Sequence, residues 1–123
     1  MNSHATVPVP HHLQDDIYRI YFSTRDKLNR NRIGSIEINL INPTKYSNLS
    51  TESHFDIGKE GYFDCDGLLS CCFVKHNSKF YLYYSGWQNL PDGLWICDTG
   101  RAIVDVEELT ASREFPGPVL ARD

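Results

Sequence analysis

Short, largely apolar stretches dominate the chain, apolar and polar residues alternate in one of them from Ile36 to Leu40, and helical periodicity is almost absent. β-Branched and aromatic residues fill these stretches, and polar turn residues separate them. Alternation with a period of two indicates strands that bury one face. We therefore predict an all-β protein, with strands at residues 5–9, 17–23, 33–41, 68–75, 79–85, 94–97 and 102–106.

The segments between these strands support two local predictions. The polar triplet His76-Asn77-Ser78 predicts a tight hairpin between two apolar runs. Residues 107–114 lack strand alternation and predict a single helical turn, which Pro116-Gly117-Pro118 would end.

The chain also resembles itself. Residues 17–25 (IYRIYFSTR) align without a gap on residues 79–87 (KFYLYYSGW), 62 positions later. In each copy a strand, a turn, the aromatic strand, a loop and another strand follow in order, although two aromatic strands can also be similar by chance. We predict one domain, residues 1–123, with two antiparallel meanders at about 1–62 and 63–123. A repeated four-stranded meander is a propeller blade, so the predicted fold class is about two propeller-like blades.

Composition narrows the function classes. A net charge of −4 argues against nucleic-acid binding, which requires a concentrated positive field. No apolar run approaches the ~20 residues of a membrane-spanning helix, and the first residues lack the pattern of a signal peptide, so we expect a cytoplasmic protein without a membrane partner. The four cysteines lack zinc-ligand spacing. We interpret them as small buried side chains and expect no metal and no cofactor.

Residues 63–87 (FDCDGLLSCCFVKHNSKFYLYYSGW) resemble the blade-opening segment of five-bladed β-propeller carbohydrate enzymes. That superfamily includes arabinanases, β-xylosidases, invertases and levansucrases. The resemblance is greatest to uncharacterised propeller proteins of bacterial polysaccharide clusters. It rests on residues 5–8, 18–26, 63–67, 83–87 and 117–120, and it covers about two of five blades.

The resemblance implies a site built from acids that precede inner strands. Glycoside cleavage requires two carboxyl groups, one to donate a proton and one to attack the sugar or activate water. Asp66 and Asp26 are the candidate catalytic acids in this chain. Arg25, Asp64, His4 and Trp87 are the candidate substrate-binding residues. Four of these residues also have a structural alternative: an Asx turn for Asp66, a loop ion pair for Arg25 and Asp26, and core packing for Trp87, which Trp95 shares.

Two functions remain open from the sequence. The superfamily's enzymes use three acids from three blades, and this chain offers no third acid in a blade-opening position. We therefore expect a shortened relative that acts as a non-catalytic saccharide-binding or self-assembling module. The alternative is a glycoside hydrolase or glycosyl-transferring enzyme, completed by oligomerisation or by missing blades. Exposed sheet edges favour a homo-oligomer in either case. A thiol or metal protein is a third alternative, and it rests only on the cysteines.

Overall fold

The structure, a computed structural model, describes residues 3–122, and these residues form an all-β fold, as predicted. Within this range the sole helical element is a 3₁₀ turn at Pro91–Gly93. Eight strands make up the rest of the regular structure: β1 (Ser3–Gln14), β2 (Ile17–Arg25), β3 (Asn31–Asn39), β4 (Tyr46–Ser47), β5 (Gly67–His76), β6 (Lys79–Asn89), β7 (Trp95–Asp105) and β8 (Thr110–Arg113).

The strands form two successive antiparallel meanders. Strands β1 to β4 make the first meander, and β5 to β8 make the second, each strand pairing with the next in sequence. A single parallel bridge between Asn31 and Gly67 joins the meanders, so the sheet order is β1-β2-β3-β5-β6-β7-β8, with β4 on β3. A Cβ atom at position 67 would lie 3.1 Å from the Asn31 nitrogen, and glycine there permits the close approach.

Strand register gives the two meanders the same internal arrangement. In the first meander Phe22 of β2 lies opposite Gly34 of β3. In the second, Tyr84 of β6 lies opposite Gly100 of β7. The neighbouring apolar pairs also correspond: Ile20–Ile36 in the first meander and Leu82–Ala102 in the second.

The core lies between the facing sides of the two meanders. Tyr21 of the first meander stacks on Phe73 of the second, with ring centroids 5.3 Å apart. The segment between the meanders adds Phe55 and Phe63, whose rings pack against Tyr84. The buried apolar side chains are Val9, Tyr21, Ile33, Phe55, Phe63, Leu68, Leu82, Tyr84, Ala102 and Val104. Burial of each large side chain contributes about 1.5–3 kcal/mol to stability.

Several predicted elements differ from the structure, three of them as follows. The first strand, predicted at 5–9, extends as far as Gln14 because pairing with β2 continues past its prolines. The two predicted strands at 94–97 and 102–106 are one strand, β7, because β6 pairs along its polar middle. The predicted helical turn at 107–114 is wrong, since this segment contains β8, paired with β7.

The hairpin between β5 and β6 is tighter than the predicted triplet. His76 still pairs with Lys79, so the turn has two residues, Asn77 and Ser78. Their φ angles, 48° and 63°, are both positive, as in a type I′ turn. This geometry matches the right-handed twist of the flanking strands.

The cysteines are less buried than the sequence interpretation held. A bulge interrupts the β5–β6 register between Ser70 and Cys72, and both Cys71 and Cys72 are exposed. Within residues 3–122, no helix has the length and apolar character that crossing a bilayer requires.

Candidate functional site

A cleft of about 230 Å³ opens where the two meanders meet, at the end of the sheet where β2 and β6 finish and β3 and β5 begin. The turn between β2 and β3 forms one wall, and the ends of β5 and β6 form the other. The residues that line the cleft are Arg25, Leu28, Asn29, Arg30, Asn31, Asp66, Trp87 and Asn89. Three residues expected from the sequence, Arg25, Asp66 and Trp87, therefore lie together.

Hydrogen bonds to β6 hold Asp66 in place. Its backbone N–H donates to the Trp87 carbonyl at 3.0 Å, and its Oδ2 accepts the Asn89 backbone N–H at 2.7 Å. The carboxylate therefore accepts a hydrogen bond from β6. In an Asx turn it would instead accept one from a backbone N–H of its own turn. Burial and the charge of Asp66 both raise the pKa of the neighbouring Cys65 thiol, which keeps it protonated at neutral pH.

Trp87 belongs to an aromatic pair at the cleft. Its indole stacks on that of Trp95, with centroids 4.5 Å apart and planes 12° from parallel. The Trp87 Nε1–H donates to Asn89 Oδ1 at 3.1 Å, which fixes the orientation of the ring. Trp95 is 56% exposed, so the expectation that it packs in the core is wrong for that residue.

Arg25 and Asp26 make separate contacts. Arg25 lines the cleft and donates from Nη1 to Asn29 Oδ1 at 2.7 Å. Asp26 accepts the backbone N–H groups of Leu28 and Arg30, at 2.9 and 3.0 Å, and so orders the turn.

The carboxylate of Asp26 is also surrounded by arginine side chains. Its Oδ2 lies 3.0 Å from Arg30 Nε and 3.1 Å from Arg32 Nε. Burial alone would raise the pKa of Asp26, but the hydrogen bonds from Arg30, Arg32 and Leu28 outweigh it and lower this pKa to about 2. Such a group is ionised at neutral pH and has no proton to donate to a leaving group.

Asp64 lies outside the cleft. It is fully buried, and its Oδ2 accepts the Tyr84 hydroxyl at 3.0 Å. Arg113 Nε and Nη2 both lie 2.6 Å from the same oxygen. Burial and the Asp64 charge raise the pKa of Tyr84. A carboxylate enclosed in this way does not line the cleft, and its substrate-binding role stays a prediction.

His4 is exposed and sits at the same end of the sheet as the cleft. Its neighbour Ser3 pairs with Arg25, and its Nδ1 lies 2.7 Å from Ser3 Oγ. The cleft lining does not include His4. Throughout residues 3–122, no three His, Cys, Asp or Glu side chains are grouped so that they could hold a metal ion.

Sequence reasoning missed several polar cleft residues, namely Asn29, Arg30, Asn31 and Asn89. A signal existed only for Asn89, which follows Trp87 by two positions and so points to the same side of β6. Asn29 and Arg30 belong to the turn before β3, Asn31 begins β3, and the proximity of all three to β6 depends on the bridge between meanders.

Comparisons with known proteins add bacterial relatives. No family model matches the chain, and no solved structure matches it significantly. The chain is 38% identical over 101 residues to "Uncharacterized protein Rv1502" of Mycobacterium tuberculosis strain H37Rv, and equally to "Uncharacterized protein MT1551" of strain CDC 1551. The similarity covers 82% of this chain but 34% of each relative. The chain thus spans about a third of the length of these relatives.

Proposed function

We infer that this chain is a relative of the β-propeller glycoside-processing proteins and that it binds a saccharide without cleaving it. The observation that carries the proposal is the cleft between the meanders, where Arg25, Asp66 and Trp87 converge. In this proposal the two meanders are adjacent blades, and the cleft lies at one end of their shared interface.

Contacts between the first strands of the meanders support the blade interpretation. Ser70 Oγ of β5 donates to the Val7 carbonyl of β1 at 2.8 Å. The Ser70 backbone N–H also donates to Ser23 Oγ of β2 at 2.9 Å, so β5 contacts β1 and β2 together. A propeller arranges its blades radially around a central channel, with the first strand of each blade innermost. Contact between β1 and β5 is the arrangement this requires.

The chemistry of the cleft suits a sugar. A guanidinium, a carboxylate and side-chain amides offer both donors and acceptors for hydroxyl groups. The stacked indoles of Trp87 and Trp95 offer an apolar surface for the C–H face of a sugar ring. The volume of about 230 Å³ is below the roughly 300–1,000 Å³ of typical small-molecule pockets. We therefore propose that one sugar unit occupies the cleft and that any further units extend into solvent.

The carboxylates favour binding over catalysis. Glycosidases place two carboxyl groups about 5–5.5 Å or 6.5–9.5 Å apart around the scissile bond. Asp66 is the one carboxylate among the residues lining this cleft. Asp26, the second expected acid, already bonds to Arg30 and Arg32.

Tryptophan fluorescence tests the proposal directly, because Trp87 and Trp95 are the two tryptophans of the chain. The probes are arabinobiose, xylobiose, sucrose and levanbiose, one for each enzyme class in the resemblance. At least one of them should change the emission in a saturable way. Arg25→Ala and Asp66→Asn should each weaken that binding at least tenfold.

Asp16→Asn is the matched control, since this exposed aspartate lies in the turn between β1 and β2, at the far end of the sheet. It should bind as the wild type does. An unchanged emission with all four sugars, or equal binding by wild type and Asp66→Asn, would contradict the proposal.

The enzymatic alternative keeps Asp66 as one acid and takes the second from a neighbouring chain. It is favoured by one observation, that Asp66 lines an open cleft and is not enclosed as Asp64 is. Chromogenic arabinosides, xylosides and fructosides test it. Hydrolysis by wild type that Asp66→Asn abolishes would establish the enzyme, and equal background rates would exclude this role for Asp66.

A further inference from the structure

Residues that correspond in the two meanders differ in burial. Leu82 and Tyr84 of β6 face the first meander and are 1% and 0% exposed. Their counterparts 62 positions earlier, Ile20 and Phe22 of β2, lie on the outer side of the first meander and are only half-buried. The same kind of apolar face is thus covered in the second meander and uncovered in the first.

The reverse holds on the other side of each meander. Arg19 and Tyr21 of β2 are buried against the second meander. Their counterparts in β6, Tyr81 and Tyr83, lie on the outer side of the second meander. Within the chain, the Tyr21 side of the first meander therefore packs against the Tyr84 side of the second. The Phe22 side of the first meander and the Tyr83 side of the second remain on the outside.

Each of these outer faces is named after one of its aromatic residues. The Phe22 face consists of Ala5, Thr6, Pro8, Ile20, Phe22, Ile36 and Leu49, which line a largely apolar groove of about 310 Å³. The Tyr83 face includes Tyr81 and Tyr83 of β6 and their partners in β7, Ile103 and Arg101. On the Tyr83 face, Arg101 lies 5.0 Å from the Tyr81 ring and pairs with Glu114, so its charge is balanced within its own chain.

We propose that a second copy of this chain docks head to tail, its Tyr83 face on the Phe22 face of the first. The contact would continue the stacking that already joins the two meanders within one chain. Aromatic side chains with charge-neutralised arginine are typical of interface centres, and the Phe22 face carries no charge that would lose its hydration. The proposal rests on the pairing of meanders and not on the saccharide cleft.

A head-to-tail contact uses different patches on the two copies, so it either closes into a ring or grows into a filament. Every copy brings two meanders, so a closed ring has an even number of them. Propellers typically have four to eight blades. The expected assembly therefore contains two to four copies of the 14.1 kDa chain.

Light scattering coupled to size exclusion tests the proposal with the full chain. Wild type should elute as an oligomer of two to four copies. Phe22→Glu, on one face, and Ile103→Glu, on the other, should each give monomers, because either substitution buries a charge in the contact. Ile41→Glu is the control, since this side chain is 79% exposed in the turn after β3, away from both faces, and it should leave the oligomer intact.

Mixing the two monomeric variants distinguishes head-to-tail from symmetric contact. Each variant retains the face that the other has lost, so an equimolar mixture should form a dimer that cannot grow. A monomeric wild type, oligomers that survive both substitutions, or dissociation by Phe22→Glu alone would each overturn the proposal. Circular dichroism of each variant checks that the monomers are folded. The tryptophan-fluorescence titration with sugars is carried out on the same variants as a separate test of the saccharide cleft.

Discussion

Arg113 is expected to stabilise the fold by compensating a fully buried charge. Asp64 has no exposed surface, and its Oδ2 is bonded by Arg113 and Tyr84 alone among the described side chains. Arg113→Met removes the positive partner and leaves the carboxylate with one neutral donor. Breaking a buried ion pair in this way costs about 3–5 kcal/mol. Since small domains have total stabilities of about 5–15 kcal/mol, the variant should still fold, with a markedly lower free energy of unfolding.

The magnitude depends on the charge of Asp64, and a double-mutant cycle isolates it. Asp64→Asn preserves the shape and lets Tyr84 still donate, so in this background Arg113 is left mainly with its bond to the Asp56 carbonyl. Arg113→Met should then cost about 1–2 kcal/mol, close to the loss of ordinary hydrogen bonds. The coupling between the two sites should therefore be about 2–3 kcal/mol.

Urea unfolding at pH 7, followed by circular dichroism, gives the four free energies of the cycle. Arg122→Met, an exposed arginine, is the matched control and should change stability by less than about 0.5 kcal/mol. A structural charge on Asp64 is refuted if Arg113→Met costs the same in the wild type and in the Asp64→Asn background. A cost below about 1 kcal/mol in the wild type would refute it equally.

Three further predictions concern single positions. The pKa of Asp26 is lowered from 3.8 to about 2 in the folded state, so its ion pairs stabilise the fold above pH 4 and are lost as the pH falls towards 2. Asp26→Asn should therefore cost up to about 2 kcal/mol at pH 7 and only a small part of that near pH 2; a cost independent of pH would contradict this. In Gly100→Ala the new methyl group would overlap Tyr84 and Phe63, with an expected loss of about 1–3 kcal/mol in urea unfolding, whereas Gly117→Ala, in open space, should be neutral. Ser78 has a φ of 63°, and Ser78→Gly should raise the melting temperature by relieving about 1 kcal/mol of strain; a lower melting temperature would show that the turn geometry is wrong.

The sequence was sufficient for strands whose own residues alternate. The stretches that became β2, β3 and β6 carry aromatic or β-branched side chains at alternate positions, such as Tyr18, Ile20 and Phe22 in β2. The middle of β7, from Asp98 to Arg101, has no such pattern, and it is extended because β6 pairs with it. The strand propensity of a segment's own residues does not include pairing with a distant strand.

The site was predictable in its residue types but not in its contacts. Asp64 and Asp66 are two positions apart in a similar context, yet one is buried and the other lines the cleft. The difference depends on Arg113, which follows Asp64 by 49 positions. For the same reason, the turn residues facing Trp87 could not be recognised until the meanders were placed together.

The most direct test of the saccharide cleft is a ¹⁵N-correlation NMR titration with the four sugars named above. If the account holds, at least one sugar will shift the indole N–H signals of Trp87 and Trp95 and the backbone amide of Asn89, while the amides of the distant turn at Asn77 and Ser78 stay fixed. Signals that do not move at millimolar sugar, or shifts confined to residues away from the cleft, would contradict the account.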